Sequence, residues 1–245
     1  MTDNISSITT EPPSAPWLRL CVTGGIACGK SLVGAHLAAL GVAVIEADAV
    51  CHGLMRTGTP LFPQIVAAFG RAILGSDGEI DRAALGRRVF GEAAALARLN
   101  ALLHPAARSA IEAWVHERRM ALQAGQQPCF AGSLRPGESA IGNSTQRWRG
   151  GVVAIVPLLY ETGWAAAWDR VICVGAPIAL QRQRLCAKGL TEKEANDRLA
   201  AQWPVEDKMK CADYVVFNAG TRVCAQRQTV QVMQQVGIHV EKSDG

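Results

Sequence analysis

The stretch Gly24–Ser31, GGIACGKS, follows the apolar run Leu18–Thr23, LRLCVT, and precedes Leu32–Gly41, LVGAHLAALG. The first flank has the character of a strand, and the second reads as a short amphipathic helix closed by a glycine. Gly24, Gly29, Lys30 and Ser31 satisfy Gly-x-x-x-x-Gly-Lys-Ser/Thr. In such a loop the glycines let backbone N–H groups point at a phosphate. The lysine reaches the β- and γ-oxygens, the hydroxyl is offered to Mg²⁺, and the following helix aims its positive end at the same place. Strand before and helix after is the context the pattern requires, so the sequence is expected to bind a nucleotide.

Working outward, four more apolar runs of strand length appear: VAVI (42–45), VVAIV (152–156), RVICV (170–174) and YVVF (214–217). Each is nearly continuous, as in strands buried on both faces of a parallel sheet. Helical stretches separate them: Ser31–Leu40, Arg82–Phe90, Ala93–Leu103, Ala106–Leu122, and two more after Pro177 and Thr191. Thr191 with Glu194 is a capping-box signal. Alternation of this kind predicts a doubly wound three-layer α/β/α fold. In the helix 221–236, Val223, Val230 and Met233 are spaced to pack on the sheet. Trp114 reads as core. Trp203, before Pro204, reads as a helix end.

The chain has 245 residues, is 49% hydrophobic and 19% charged, and carries a net charge of +4. That suits one large unit, residues 17–245, with a real core. No apolar segment approaches the ~20 residues of a membrane helix. Residues 1–16, polar and proline-bearing, have no signal-peptide pattern and read as a disordered extension. Arginine outnumbers lysine 19 to 6, which suits anion pockets, but the charge is dispersed and gives no nucleic-acid stripe. None of the eight cysteines forms a metal-ligand spacing, so reduced thiols and the cytoplasm are expected. Residues 124–151, rich in Gly, Ser, Gln and Pro, break the rhythm and read as an inserted flexible loop. It either links helix to strand or uses Arg147, Trp148 and Arg149 to touch a partner.

A phosphate loop does not name a reaction. No NKxD reads guanine, and Val152–Val156 ends in Pro157 rather than in the Asp of a motor ATPase. The nearest carboxylate is Asp48, just beyond VAVI, with Glu46 two residues before it. At the carboxyl edge of a parallel sheet Asp48 accepts a proton from an acceptor hydroxyl, orients a metal ion through water, or caps a helix; the spacing leaves these open.

The ordered set VTGGIACGKS, VIEADAV, LLHP (Leu102–Pro105), VPLLYE (Val156–Glu161), AAQ (200–202), Lys208, AD (212–213) and NAG (218–220) resembles the dephospho-CoA kinase family over about residues 18–235, the insertion apart. The resemblance implies transfer of the γ-phosphate of ATP to the ribose 3′-hydroxyl of dephospho-CoA. A monomer is expected, with a weak oligomer as the alternative. It implies ATP contacts from Gly24, Gly25, Ile26, Ala27, Cys28, Gly29, Lys30, Ser31 and Leu32, with Mg²⁺ on Ser31 and Asp48 as catalytic base. It implies acceptor contacts from Arg82, His104, Pro157, Leu158 and Glu161, a helical CoA-binding region at 60–123, and a core of 17–59 and 151–245. A lid at 180–203 would bring Arg184 and Lys188 to the phosphates, with Arg182 and Arg198 as further bases. Ala27, Cys28 and Leu32 depart from the family's usual Gly, Ser and Thr. Glu46 replaces Asp and Lys188 replaces Arg. Alanine at 27 requires a negative φ, and Cys28, beside a helix start, is expected to have a depressed thiol pKa and to be a point of oxidative inactivation. Other small-molecule P-loop kinases, and a non-catalytic ATP-binding paralogue, remain the alternatives.

Overall fold

Five apolar runs become the five strands of one sheet; the expected burial on both faces fails at the edge strand Tyr214–Phe217, where Val215 and Phe217 are exposed. The strands are β1 (Leu18–Gly24), β2 (Ala43–Glu46), β3 (Gly151–Ile155), β4 (Arg170–Gly175) and β5 (Tyr214–Phe217). The computed structural model describes residues 17–89, 92–124 and 150–237. The sheet order is β2-β3-β1-β4-β5, and every pairing is parallel, with Val22 opposite both Ile155 and Ile172. Parallel neighbours need crossovers, which the helices supply. They are α1 (Lys30–Ala39), α2 (Ala47–Leu54), α3 (Phe62–Phe69), α4 (Arg82–Val89), α5 (Ala93–Gln123), α6 (Ile178–Cys186), α7 (Glu192–Ala200), α8 (Val205–Cys211) and α9 (Arg222–Gln235). The fold is the expected α/β fold with a central parallel sheet.

Period-two alternation of strand side chains divides the core into two layers. Leu20, Val22, Val153, Ile155, Ile172 and Val174 pack against Val33 and Leu37 of α1 and Val232 and Met233 of α9. Cys21, Val152, Ala154 and Val171 face the other way, onto Ile111, Trp114 and Val115 of α5. A third cluster lies among α3, α4 and the first half of α5, with Ile65, Phe69, Leu85, Leu99 and Leu103 at its centre.

Three expectations change. Residues 93–123 form one helix with Pro105 inside it, not two helices parted at the His-Pro. A proline there forfeits a backbone hydrogen bond and crowds the preceding turn, at about 3 kcal/mol. The offset is a single stripe at i+4 spacing, Ala95, Leu99, Leu103, Ala107, Ile111 and Val115, all buried, which runs unbroken past the proline. In α9 the stripe is Ala225, Thr229, Val232 and Met233; Val223 is exposed. Thr229 is tolerated inside because its hydroxyl donates to Ala225 O at 2.8 Å. Trp203 does not end a helix. It follows α7 by three residues and stacks on Tyr160, with ring centroids 6.0 Å apart. The capping box at Thr191 and Glu194 is present. The expected N-terminal extension, most of the inserted loop including Cys129, Arg147, Trp148 and Arg149, and the end of the Arg82–Phe90 helix at Phe90 lie outside the described residues.

Replacing Pro105, whose side is exposed, with alanine restores the missing donor without touching the stripe. Urea unfolding of Pro105→Ala is expected to show stability raised by about 1–3 kcal/mol; a lower midpoint would mean the proline bend is itself required for packing.

Candidate active site

The phosphate loop leaves β1 at Gly24 and enters α1 through Gly29. Both positions require glycine. Gly24 has φ 142°, and a Cβ there would lie 2.1 Å from Val174 O. Gly29 has φ 98°, and a Cβ would collide with the Asn218 amide at 2.2 Å. Ala27 overturns the expectation of a negative φ. At φ 56° it is the one non-glycine residue among those described with positive φ, a conformation costing roughly 1–2 kcal/mol. Its neighbours hold it there. Arg184 of α6 donates to Ala27 O at 3.1 Å and to Asn218 O at 2.9 Å, and the Asn218 amide donates to Cys28 O at 2.8 Å. Left-handed backbone inside such a loop lets successive N–H groups converge on an anion.

Lys30 folds back onto its own loop and donates to Gly24 O at 3.1 Å and Gly25 O at 2.9 Å. Desolvation lowers its pKa, opposed in part by Asp48. Ser31 is exposed at the start of α1, Leu32 is half-buried, and Ile26 lines a groove of about 380 Å³ with Gly25, Gln181, Gln202 and Trp203. Cys28 is fully buried. Burial pushes its thiol pKa up, and that outweighs the opposing charges of Lys30 and Arg184. The expected depression is therefore reversed: desolvation wins over the helix start, and the oxidation hypothesis loses its basis. Of the expected lid bases, Arg184 reaches the loop, Lys188 is exposed past the end of α6, and Arg182 donates to Asn196 Oδ1 at 2.8 Å.

Asp48 is the second residue of α2. The N-cap is Glu46, and no side chain caps that helix, so Asp48 is not a cap. It is exposed on the wall of a cavity of about 80 Å³ that also holds His104, Arg108, Pro157, Leu158 and Trp164. Four expected acceptor residues thus meet: Asp48, His104, Pro157 and Leu158. The His104 pKa is lowered, first by burial and then by Arg108, which keeps the ring neutral near pH 7. Glu46 is raised by burial and by Asp48, with Lys30 opposing. Lys30, Glu46 and Asp48 therefore share one field at the carboxyl edges of β1 and β2.

Two expected acceptor residues stand apart from that cavity. Arg82 contacts His52 at 3.1 Å in a neighbouring one. Glu161 instead binds Lys208, with Oε1 2.6 Å from a fully buried ammonium. Lys208 also donates to Pro157 O at 3.0 Å, and Glu161 Oε1 accepts the Trp203 N–H at 3.0 Å. Arg108 was not singled out in the sequence. Its guanidinium donates to Thr162 O and lies over the Trp164 ring at 5.4 Å. The signal was its place one turn after His104, on the same helix face.

A parallel sheet that delivers a Gly-x-x-x-x-Gly-Lys-Ser loop beside a carboxylate-bearing pocket defines a P-loop kinase. The family profile described as dephospho-CoA kinase matches residues 18–128 and 138–223. The dephospho-CoA kinase of Geobacillus kaustophilus is 38% identical over 219 residues, 89% of this chain and 96% of that one. The dephospho-CoA kinase of Anaeromyxobacter dehalogenans is 41% identical over 200 residues, 81% of this chain and 82% of that one. The crystal structure of TT1252 from Thermus thermophilus superposes with a TM-score of 0.65 at 26% identity, covering 90% of this chain and 97% of its own. The chain belongs to the dephospho-CoA kinase family, and it is a kinase. No described helix is long and apolar enough to cross a membrane.

Two outcomes follow. Lys208→Met leaves the largely enclosed Glu161 carboxyl without its ammonium partner, and is expected to cost about 3–5 kcal/mol in urea unfolding, with much of that recovered in Lys208→Met/Glu161→Leu. A loss below about 1 kcal/mol, the range of surface pairs, would make the pair incidental. For the thiols, alkylation of the native protein followed by peptide mass spectrometry is expected to label exposed Cys224 first, because a hydrogen bond from Thr221 lowers its pKa, and to leave Cys28 unlabelled. Labelling of Cys28 at a comparable rate would show that the loop opens.

Proposed function

We propose that the protein transfers the γ-phosphoryl group of ATP to the ribose 3′-hydroxyl of dephospho-CoA, giving coenzyme A and ADP. The observation that supports this most directly is the shared cavity of Asp48, His104, Pro157 and Leu158, set beside the phosphate loop by adjacent carboxyl edges of the sheet. The 3′-oxygen forms its bond to the γ-phosphorus as the bond from that phosphorus to the β,γ-bridging oxygen breaks. Asp48 accepts the hydroxyl proton. Gly24 to Leu32 cradle the phosphates, and Lys30, released from Gly24 O and Gly25 O, turns its ammonium to the γ-oxygens. Catalysis of this kind rests on positioning and charge rather than on covalent chemistry.

The donor set suits Mg²⁺, a hard cation that takes oxygen ligands and keeps several waters. Ser31 would hold it, with Glu46 next to the site, and the ion would neutralise phosphate charge. Arg184 bears on the phosphates from α6, and residues 180–203 act as the lid that excludes water; Lys188 reaches them only on closure. Residues 60–123 form the CoA-binding region beside the core of 17–59 and 151–245, with Arg82 at its entrance. Glu161 acts on the acceptor indirectly, by fixing Pro157 and Leu158 through Lys208. The reading keeps the protein a monomer in the cytoplasm, where its thiols stay reduced.

ADP release with ATP, Mg²⁺ and dephospho-CoA tests the reading. Turnover is expected only with all three, and Asp48→Asn is expected to lower kcat by about 10²–10⁴ with the KM for ATP unchanged. Turnover with a different acceptor would move the protein to another small-molecule kinase. ATP binding without turnover would make it a non-catalytic paralogue.

A further inference from the structure

Asn218 follows the last residue of β5 and is buried. Its backbone N–H donates to Gly175 O of β4 at 2.8 Å. Its side-chain amide leaves the sheet and meets the phosphate loop, donating to Cys28 O. The same amide stands where a Cβ on Gly29 would go, so it abuts two successive loop residues. Its carbonyl accepts from Arg184, whose guanidinium also reaches Ala27 O. Asn218 and Arg184 thus grip the carbonyls of Ala27 and Cys28 and are fastened to each other.

Asn218 is itself anchored. Phe217, the residue before it, lies on an edge strand, where one row of backbone groups faces no neighbouring strand. The Gln228 amide of α9 takes the place of that neighbour. Its Oε1 accepts the Phe217 N–H at 2.8 Å, and its Nε2 donates to Phe217 O at 3.1 Å. The peptide unit between Phe217 and Asn218 is therefore held at both ends, by Gln228 at its oxygen and by Gly175 at its nitrogen.

The phosphate loop needs such a grip at one residue. Ala27 has φ 56°, and a residue with a Cβ leaves that region unless its surroundings hold it, whereas glycine stays there unaided. Loop N–H groups converge on an anion only while the left-handed turn persists. Apparent affinity scales with the fraction of molecules in the competent form. Whatever keeps Ala27 left-handed therefore sets how tightly the loop binds.

We propose that Asn218, anchored by Gln228, is a positioning residue for the phosphate loop, and that it raises the affinity for a nucleoside triphosphate by way of the Ala27 backbone. This role requires only that the loop binds such a nucleotide, and it is independent of the acceptor.

The test is a double-mutant cycle on the full-length protein, read by calorimetric binding of ATP with Mg²⁺, with urea unfolding alongside. Asn218→Ala is expected to weaken ATP about tenfold in the native loop, the strain of one left-handed alanine expressed as an equilibrium ratio. Introduced into Ala27→Gly, the same change is expected to weaken ATP by less than about twofold, because glycine needs no grip. The fall in the urea midpoint is expected in both backgrounds, so a purely structural Asn218 would show no such difference in affinity. Equal weakening with and without the glycine would overturn the role, and so would unchanged binding in Asn218→Ala. Should Asn218→Ala not fold, Gln228→Ala, at a half-buried position, carries the same cycle. A loss of about threefold that disappears in the glycine background is expected there, and no loss overturns the role. An unmutated protein that binds no ATP would remove the nucleotide site itself, and the role of Asn218 with it.

Discussion

A single buried ammonium holds the floor of the active site together. Lys208 has no solvent exposure, and its Nζ is shared by Glu161 Oε1 and Pro157 O. Removing that charge from water is expensive, and a buried ion pair seldom offsets the cost by its own attraction. What it supplies is geometry. The carboxylate that meets Lys208 also takes the Trp203 N–H, so the loop after β3 and the segment entering α8 are fastened at one point. Pro157 and Leu158, which wall the cavity that holds Asp48 and His104, belong to that loop. The Lys208 charge also reaches Lys30, where it favours the neutral amine. One cation thus sets the shape of that cavity wall and contributes to the field at the phosphate loop.

The electrostatics of the site are decided by burial more often than by nearby charge. Cys28 sits beside two cations at a helix start, yet its pKa rises, because desolvation is the largest cause. Glu46 rises for the same first reason, with Asp48 adding to it. The imidazole of His104 is kept uncharged by partial burial, and Arg108 reinforces this.

Much of the fold could be read from the chain, because strands of a parallel sheet appear as nearly continuous apolar runs, and all five did; burial on both faces holds for the inner strands but not for the edge strand β5, where Val215 and Phe217 are exposed. The phosphate loop was equally plain, since its chemistry depends on local spacing. What escaped were contacts between distant segments. Arg184 to Ala27 spans 157 residues and Asn218 to Cys28 spans 190. These are the contacts that keep Ala27 left-handed against its own preference. Lys208 and Glu161 were each visible in the sequence as part of a resemblance, but their pairing was not, because it joins side chains from two distant segments. Proline chemistry argued for a helix boundary at residue 105. The stripe from Ala95 to Val115 carried the opposite message, and its combined burial outweighed one lost hydrogen bond.

That unbroken helix has a consequence for how the molecule comes apart. α5 contributes Leu99 and Leu103 to the helical cluster and Ile111 and Trp114 to the sheet layer, so neither body of packing owns it. Loosening the helical cluster frays the rod that also covers the sheet, and stripping the sheet removes the support of the cluster. Regions of a protein that share an element in this way lose structure in one cooperative step rather than in succession. The helical cluster therefore draws its resistance to local opening from the sheet, and the two parts stand or fall at the same denaturant concentration.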